Sequence, residues 1–392
     1  MPEAPNPLID NDRPPCAGPQ TALAKLAAGW LQRRFAALLR TSTRRLNVTY
    51  IVAGLIVAIA TATTGCRNLA EAEKTRRTGL ATESISLDGV TRRYAIYVPE
   101  KPGAANLPLV FELHGGGVSI EDMTGESGYK TPYKLWMDLA DSEKFIVVYP
   151  EGLNGAYGKP TWNDCRANAS VNSGADDVQF ISTLIDLVSA AHNIDPNSIY
   201  ASGTSNGGLM ALRLAVELPD QISAIAAVAA AMPDHSECRP PAHPVSVLFM
   251  NGTDDNHLPY HGGILSNPPN PDHGSVYSTE ASVNIWKAIN RTDQAPVSYS
   301  FPDLDTKDGS TVTSYSYANG INGKEVALYK VIGGGHSAPS IREQYSALFE
   351  RYFNRQNHDI ETTTEVWNFF RQNASNHRGA PSNAARPALF VP

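Results

Sequence analysis

The sequence predicts an α/β protein with a mostly parallel central sheet, antiparallel strands at its N-terminal side and helices on both faces. Short, continuously apolar segments recur along the chain, and amphipathic segments with a helical period separate them. Apolar strands that alternate with helices are typical of a parallel sheet covered on both faces. Glycine-rich polar segments follow directly after several of these strands, which is where sheets of this kind carry their functional residues.

The predicted elements begin with a hairpin. Residues 84–87 and 94–98 alternate apolar and polar side chains on either side of Asp88-Gly89, a typical turn dipeptide. Buried strands are predicted at residues 109–113, 145–149, 199–202, 222–228, 245–250 and 326–331. Helices are predicted at residues 178–188, 209–216, 283–289 and 364–370, and the first of them follows two aspartates, which are favourable at a helix N-terminus.

The chain is predicted to consist of an N-terminal extension and export signal (1–65), a linker (66–81), an α/β domain (82–371) and a disordered tail (372–392). Arg44 and Arg45 precede an apolar run that is too short to cross a membrane as a helix, and small residues follow it. These are the parts of a secretory signal. An uncleaved N-terminal anchor helix is the alternative to this signal. Cys66, directly after Gly65, predicts lipidation and membrane attachment through the lipid.

Composition limits the expected partners. The chain has a net charge of −7, so we expect no nucleic-acid partner. Cys165 and Cys238 lie in the predicted domain, and in an exported protein they predict one disulfide; two separate buried thiols are the alternative. No full set of metal ligands flanks either cysteine, so we expect no metal there. No organic cofactor is expected either.

The residues Gly203-Thr204-Ser205-Asn206-Gly207 match the pattern G-x-S-x-G between a predicted strand and a predicted helix. In that context the pattern predicts a nucleophile elbow, a strained turn that presents the serine hydroxyl. The flanking glycines allow the strand and the helix to approach closely. We therefore expect Ser205 to be a nucleophile.

A serine nucleophile needs a general base that a carboxylate orients. His336, which follows three glycines after the last predicted strand, is the expected base. Asp254, in the loop after the strand at 245–250, is the favoured acid, and Asp255 is the alternative. His257 lies too close to this loop to be the base, so we expect it at the rim of the site.

Backbone amides are expected to stabilise the oxyanion of a tetrahedral intermediate. One donor is the N–H of Asn206, the residue after the nucleophile. The other comes from the loop His114-Gly115-Gly116-Gly117, in which Gly116 is favoured and Gly117 is second. His114 itself is expected to shape the loop rather than to react.

The chain resembles the polyhydroxybutyrate depolymerase and feruloyl esterase group of α/β-hydrolases. The resemblance covers residues 93–370 and includes "LHGGG" from Leu113, "TWNDC" from Thr161, "GADDVQFI" from Gly174, "GTSNGG" from Gly203, "NGTDDNHLPYHGG" from Asn251 and "VIGGGHSAP" from Val331. It implies an α/β-hydrolase fold and an exported serine carboxyl-ester hydrolase with Ser205, Asp254 and His336 as its triad. It also implies that Trp162 and Tyr260 lie near the acyl site; packed loop core is the alternative for both.

Several functions remain open at this point. A carboxyl-ester hydrolase acting on hydroxyalkanoate oligomers or short-acyl esters is favoured, with a feruloyl or acetyl esterase of plant polysaccharide side groups as the alternative. Polymer-degrading members of the group carry a substrate-binding domain, for which the segment after residue 370 is too short, so soluble substrates are expected. A serine peptidase or amidase and a non-catalytic surface-binding lipoprotein are the remaining hypotheses.

Overall fold

The computed structural model describes residues 77–100, 106–129, 131–266 and 269–374. The predicted export signal, Cys66 and most of the predicted tail lie outside these residues. Within the described ranges, no helix combines the length and the apolar character that crossing a bilayer requires.

In the described part of the chain, ten strands form one sheet in the order β1-β2-β4-β3-β5-β6-β7-β12-β11-β10, and β8 and β9 pair separately. The strands are β1 Leu80–Leu87, β2 Val90–Tyr97, β3 Leu107–Leu113, β4 Ile146–Pro150, β5 Ile194–Thr204, β6 Ala224–Val228, β7 Ser246–Gly252, β8 Gly263–Ile264, β9 Ser275–Val276, β10 Val297–Ser300, β11 Thr311–Tyr317 and β12 Val326–Ile332.

Six neighbouring strands, from β4 to β12 in the sheet order, run parallel. The predicted hairpin of β1 and β2 adds antiparallel strands at one edge. The structure corrects the prediction at the other edge, where β11 and β10 are also antiparallel. All four residues of β10 are exposed, so this strand lacks the buried apolar run that identified the others.

The helices are α1 Ile120–Thr124, α2 Leu135–Glu143, α3 Asp177–Ala191, α4 Asn206–Glu217, α5 Thr279–Asn290, α6 Ala347–Phe353 and α7 Thr362–Gln372, and short 3₁₀ helices lie at Pro132–Lys134, Pro271–His273 and Ile321–Gly323. Helices α3, α4 and α5 pack on one face of the sheet in one apolar cluster. Helices α2 and α7 pack on the other face in a second cluster. The predicted α/β-hydrolase fold is therefore confirmed.

The carboxyl ends of the central parallel strands lie at one edge of the sheet. Strands β3, β5, β7 and β12 are followed there by the loops at residues 114–117, 205–206, 253–258 and 333–336. Because parallel strands end on the same side, these four loops can meet, and they carry the residues that the sequence singled out.

Candidate active site

The turn between β5 and α4 has the geometry of a nucleophile elbow. Ser205 has φ +57° and ψ −122°, a backbone conformation that residues with a side chain rarely adopt. A Cβ on Gly203 would lie 2.5 Å from the backbone of Gly207, and one on Gly207 would lie 2.2 Å from the carbonyl oxygen of Leu113. Only glycine fits at either position, so the close packing of strand and helix holds Ser205 in its strained conformation.

His336 lies between the serine and a carboxylate. Its Nε2 is 2.9 Å from Ser205 Oγ, and its Nδ1 is 2.7 Å from Asp255 Oδ2. Because a carboxylate only accepts hydrogen bonds, the Nδ1–H donates to Asp255, and Nε2 is left to accept from the serine hydroxyl. The backbone N–H of His336 donates to the carbonyl of Phe353 at 2.6 Å, which fixes the position of the loop.

The glycines before His336 are needed for close approach between loops. A Cβ on Gly335 would lie 2.3 Å from the carbonyl oxygen of Phe353, and one on Gly252, at the end of β7, would lie 2.2 Å from that of Gly334. The histidine loop therefore packs directly against the loop after β7. This packing brings the acid and the base together.

The structure selects Asp255, not Asp254, as the partner of His336. Oδ1 of Asp255 accepts hydrogen bonds from the backbone N–H groups of His257 and Leu258, both at 2.8 Å, which turns Oδ2 toward the histidine. Asp254 is exposed, and its carboxylate accepts from the hydroxyl of Thr253 at 3.0 Å. The assignment of Asp254 as the triad acid is therefore wrong: the loop points that side chain into solvent.

The loop after β3 faces the elbow. A Cβ on Gly115 would lie 3.7 Å from Ser205 Cβ, and one on Gly116 would lie 3.8 Å from Asn206 Cβ. The N–H of Gly117 donates to the carbonyl of Pro160 at 2.8 Å and is thus already used. This favours Gly116 over Gly117 as the second oxyanion donor beside the N–H of Asn206.

His114 and Trp162 form hydrogen bonds on the buried side of this loop. The Nε2 of His114 accepts from the N–H of Gly152 at 2.9 Å, and its Nδ1 lies 2.8 Å from the carbonyl of Gly115. Burial lowers the pKa of His114 to about 4, so the ring is neutral near pH 7. The indole N–H of Trp162 donates to the carbonyl of His114 at 2.9 Å. The structure thus gives His114 a supporting position in the loop.

The two aromatic residues expected near the acyl group do not line the cavity. Trp162 is fully buried beneath the loop. Tyr260 is also buried, and its ring lies 4.9 Å from the ammonium of Lys330. The predicted substrate contact is wrong for both residues, and the alternative, packed loop core, is correct. His257 does line the cavity, where its ring stacks at 5.4 Å from that of His336.

A network that the sequence analysis did not identify holds Asn206. Its side-chain amide accepts from the N–H of Trp162 at 2.7 Å and donates to the carboxylate of Asp164. Asp164 also forms a buried ion pair with Arg166, with N–O distances of 2.9 and 2.6 Å. Asp164 lies within the quoted "TWNDC" stretch, but no pattern in the sequence linked it to the elbow.

Ser205 and His336 open into a cavity of about 310 Å³. Apolar and aromatic side chains form part of its wall, among them Leu209, Leu265 and Phe353. Phe353 lies against both His257 and His336, with ring centroids 4.5 and 5.8 Å apart. A cavity of this size is at the lower end of the ~300–1,000 Å³ typical of ligand pockets, so it suits a short acyl or alcohol group.

The predicted disulfide between Cys165 and Cys238 is confirmed. The carboxylate of Glu217 lies within 4.8 Å of both sulfur atoms. Sulfurs joined in a disulfide are not thiolate ligands, so this group does not offer a metal site.

An α/β-hydrolase sheet in which an elbow serine, a histidine and a buried carboxylate are connected by hydrogen bonds has the arrangement of a serine hydrolase. The family model described as esterase PHB depolymerase matches residues 92–237. Putative esterase NocK from Nocardia uniformis subsp. tsuyamanensis is 30% identical over 287 residues, which are 70% of this chain and 76% of NocK. The chain belongs to the esterase PHB depolymerase family and is a hydrolase of carboxylic ester bonds.

Two further relatives illustrate the range of the family. The bifunctional acetylxylan esterase/xylanase XynS20E from Neocallimastix patriciarum is 28% identical over 254 residues, which are 64% of this chain and 32% of that protein. Poly(3-hydroxyalkanoate) depolymerase C from Paucimonas lemoignei is 26% identical over 245 residues, 60% of this chain and 56% of that protein. The chain thus spans about a third of one and just over half of the other.

Proposed function

We propose that the chain is a carboxyl-ester hydrolase in which Ser205 is the nucleophile, His336 the general base and acid, and Asp255 the carboxylate that orients the histidine. The observation that carries this proposal is the continuous chain of contacts from Ser205 Oγ to His336 Nε2 at 2.9 Å and from His336 Nδ1 to Asp255 at 2.7 Å. Both distances are within hydrogen-bond range, as general-base catalysis requires.

Acylation begins when Ser205 Oγ attacks the ester carbonyl and its proton passes to His336 Nε2. The carbonyl oxygen becomes an oxyanion, and the N–H groups of Asn206 and Gly116 are the proposed donors to it. Asn206 is also the first residue of α4, so the positive end of the helix dipole contributes to the same stabilisation. The tetrahedral intermediate then collapses, and His336 donates the proton to the departing alcohol.

Deacylation uses the same groups in reverse. A water molecule attacks the acyl-enzyme carbonyl while His336 accepts one of its protons, and a second oxyanion forms in the same position. When the intermediate breaks down, His336 returns the proton to Ser205 Oγ and the acid is released. Asp255 remains a carboxylate throughout and stabilises the imidazolium that forms twice per turnover.

We propose hydroxyalkanoate oligomers or other short-acyl esters as substrates. The cavity volume of about 310 Å³ supports a short group at Ser205. The likeness to a poly(3-hydroxyalkanoate) depolymerase supports the hydroxyalkanoate class. A feruloyl or acetyl esterase of plant polysaccharide side groups is the second candidate, and the match to an acetylxylan esterase favours it.

We also propose that the protein acts after export. The N-terminal sequence with its signal-like pattern supports this, as does the disulfide between Cys165 and Cys238, because disulfides persist in oxidising compartments.

The test compares the full chain with Ser205→Ala and with Ser142→Ala, an exposed serine on α2. We expect Ser205→Ala to lower turnover of p-nitrophenyl butyrate and of 3-hydroxybutyrate oligomers by about 10⁴-fold or more, whereas Ser142→Ala retains it. A fluorophosphonate probe should label the wild type and Ser142→Ala but not Ser205→Ala. A wild type that neither turns over these esters nor reacts with the probe would refute the proposal and favour a binding protein.

A further inference from the structure

The wall of the catalytic cavity differs in character from one part to another. Beside the apolar residues lies a polar group formed by Tyr157, Lys159, Arg166 and His273, which we call the basic wall. None of the described residues that line the cavity is an aspartate or a glutamate. A ligand bound at Ser205 therefore meets hydrogen-bond donors and positive charge, with no carboxylate of the lining facing it.

Arg166 is a buried part of this wall, and not all of its N–H groups are used in hydrogen bonds to described residues. Its side chain is nearly fully buried, and three of its five N–H groups are used: two donate to Asp164 and one to the carbonyl of His273. No other hydrogen bond to a described residue engages the remaining two. The ion pair with Asp164 fixes the guanidinium in place at the cavity wall, so a ligand that contacts it does not cost side-chain entropy at Arg166.

Lys159 supplies the net positive charge of the wall. The charge of Arg166 is balanced by Asp164, whereas Lys159 forms no close ion pair with any residue in the described ranges and interacts with the carboxylate of Asp122 only at longer range. Its backbone is well held, because its carbonyl accepts from the N–H of Gly155 at 2.9 Å and the next residue, Pro160, accepts from Gly117. Lys159 is thus an exposed cation on a well-held backbone, next to the loop at residues 114–117.

His273 adds a neutral donor to the same wall. Burial and, to a smaller extent, the neighbouring Arg166 lower its pKa, so the ring is uncharged near neutral pH. The ring of Tyr157 lies over it, with ring centroids 6.3 Å apart. The wall thus offers the ammonium of Lys159, the guanidinium of Arg166 and the imidazole of His273, a set of groups that suits a carboxylate.

We propose that the basic wall is a carboxylate subsite, and that the preferred substrates are esters with a free carboxylate a few bonds from the scissile bond. This inference rests on the proposed ester hydrolysis and names its substrate class. Within the hydroxyalkanoates it points to short oligomers that end in a free carboxyl group, rather than to long chains or to neutral acetyl esters of sugars. Lys159 is the residue that determines the preference.

The experiment compares matched pairs of charged and neutral esters. The dimer of 3-hydroxybutyrate and its terminal carboxamide differ in charge on the alcohol side. Mono-p-nitrophenyl succinate and p-nitrophenyl butyrate differ in charge on the acyl side. For each pair we measure the ratio of kcat/KM for the charged ester to kcat/KM for the neutral ester, with wild type, Lys159→Met and Lys307→Met; Lys307 is an exposed lysine outside the cavity lining.

In at least one pair we expect Lys159→Met to lower this ratio about fivefold, the size of a partly exposed charge interaction. Lys307→Met should leave the ratio unchanged, and added salt should lower it in the wild type because salt screens the attraction. The pair that responds shows on which side of the ester the carboxylate binds. If Lys159→Met leaves the ratio unchanged in both pairs, for example because it lowers kcat/KM equally for the charged and the neutral ester, the proposal is wrong.

A second measurement separates this inference from the proposed catalysis. Ser205→Ala should bind 3-hydroxybutyrate or succinate in isothermal titration calorimetry, and the double variant Ser205→Ala/Lys159→Met should bind them about fivefold more weakly. Failure of ester hydrolysis with intact, Lys159-dependent binding would refute the catalytic proposal alone. Equal binding by the two variants would refute the subsite alone.

Discussion

The two loops that supply the nucleophile and the acid are held in place in different ways. The elbow at Gly203–Gly207 is shaped by steric contact, because a Cβ on either glycine would lie within 2.5 Å of backbone atoms. The acid loop after β7 is shaped by hydrogen bonds, in which two backbone N–H groups hold one carboxylate oxygen of Asp255. Steric requirements can be recognised in the sequence, because they demand glycine at defined positions. Which of two adjacent aspartates contacts the histidine cannot be recognised there, because both have the same side chain.

The largest effect is expected where the elbow is overfilled. In Gly207→Ala the new methyl group would lie 2.2 Å from the carbonyl oxygen of Leu113, so strand and helix must separate. We expect turnover of p-nitrophenyl butyrate to fall below detection and the melting temperature to drop. Gly174→Ala is the matched control, because a Cβ there has nothing within 4 Å, and it should behave as wild type. Normal activity of Gly207→Ala would show that the elbow is not sterically fixed.

The next largest effect is expected from removal of the disulfide, which lies next to the residues that hold the elbow. The disulfide joins Cys238 to Cys165, the residue between Asp164 and Arg166, and Asp164 holds the side chain of Asn206. Because the two cysteines are 73 positions apart in sequence, the chain-entropy model predicts a loss of roughly 4 kcal/mol of unfolding free energy in Cys165→Ser/Cys238→Ser.

Urea denaturation of the wild type and the double serine variant measures this loss. The wild type under reducing conditions should approach the variant, which is the internal control. If the two oxidised proteins have the same midpoint of unfolding, the disulfide contributes nothing to the stability of this side of the site.

A smaller effect comes from a second buried carboxyl group, Glu112 on β3. Burial raises its pKa to about 8, although hydrogen bonds with Ser202 and Trp136 oppose the shift. The folded state thus holds a proton that the unfolded chain releases near pH 4.5. The contribution of Glu112 to the free energy of unfolding is therefore fully present below that pH and is lost as the pH rises toward 8. The slope is at most about 1.4 kcal/mol per pH unit.

Chemical denaturation at several pH values measures this effect in wild type and Glu112→Gln. The glutamine keeps the shape of the protonated acid but cannot ionise, so the variant should lack this part of the pH dependence. Parallel stability curves for the two proteins between pH 5 and pH 8 would show that Glu112 is not protonated in the folded state.

The sequence was sufficient for the parallel strands and the helices between them, because buried apolar runs and helical periods reflect burial directly. It was not sufficient for β10, whose residues are exposed and follow neither pattern. The position of Trp162 was predicted wrongly for the same reason, because this residue lies in a loop without a periodic pattern. Whether such a residue faces a cavity or supports a loop depends on contacts between segments far apart in the chain, here with His114.

In the candidate site, too, some residues could be predicted from the sequence and others could not. Ser205 and His336 were identified from glycine-rich loops, and the structure brings the two side chains together. The basic wall was not identified, because Lys159 and Arg166 lie in the connection from β4 to α3, His273 lies far along the chain, and no motif links them. The acid was assigned to the wrong member of an adjacent pair, which only the direction of each side chain can decide.

The identity of the triad acid is tested by comparing Asp255→Asn with Asp254→Asn, using kcat for p-nitrophenyl butyrate at neutral pH. Both substitutions keep the size of the side chain and remove its charge, so each is the control for the other. We predict that Asp255→Asn lowers kcat by about 10³- to 10⁴-fold, because His336 loses the carboxylate that orients it, while Asp254→Asn stays within a few-fold of wild type. The opposite pattern, with the large loss in Asp254→Asn, would contradict the triad of Ser205, His336 and Asp255.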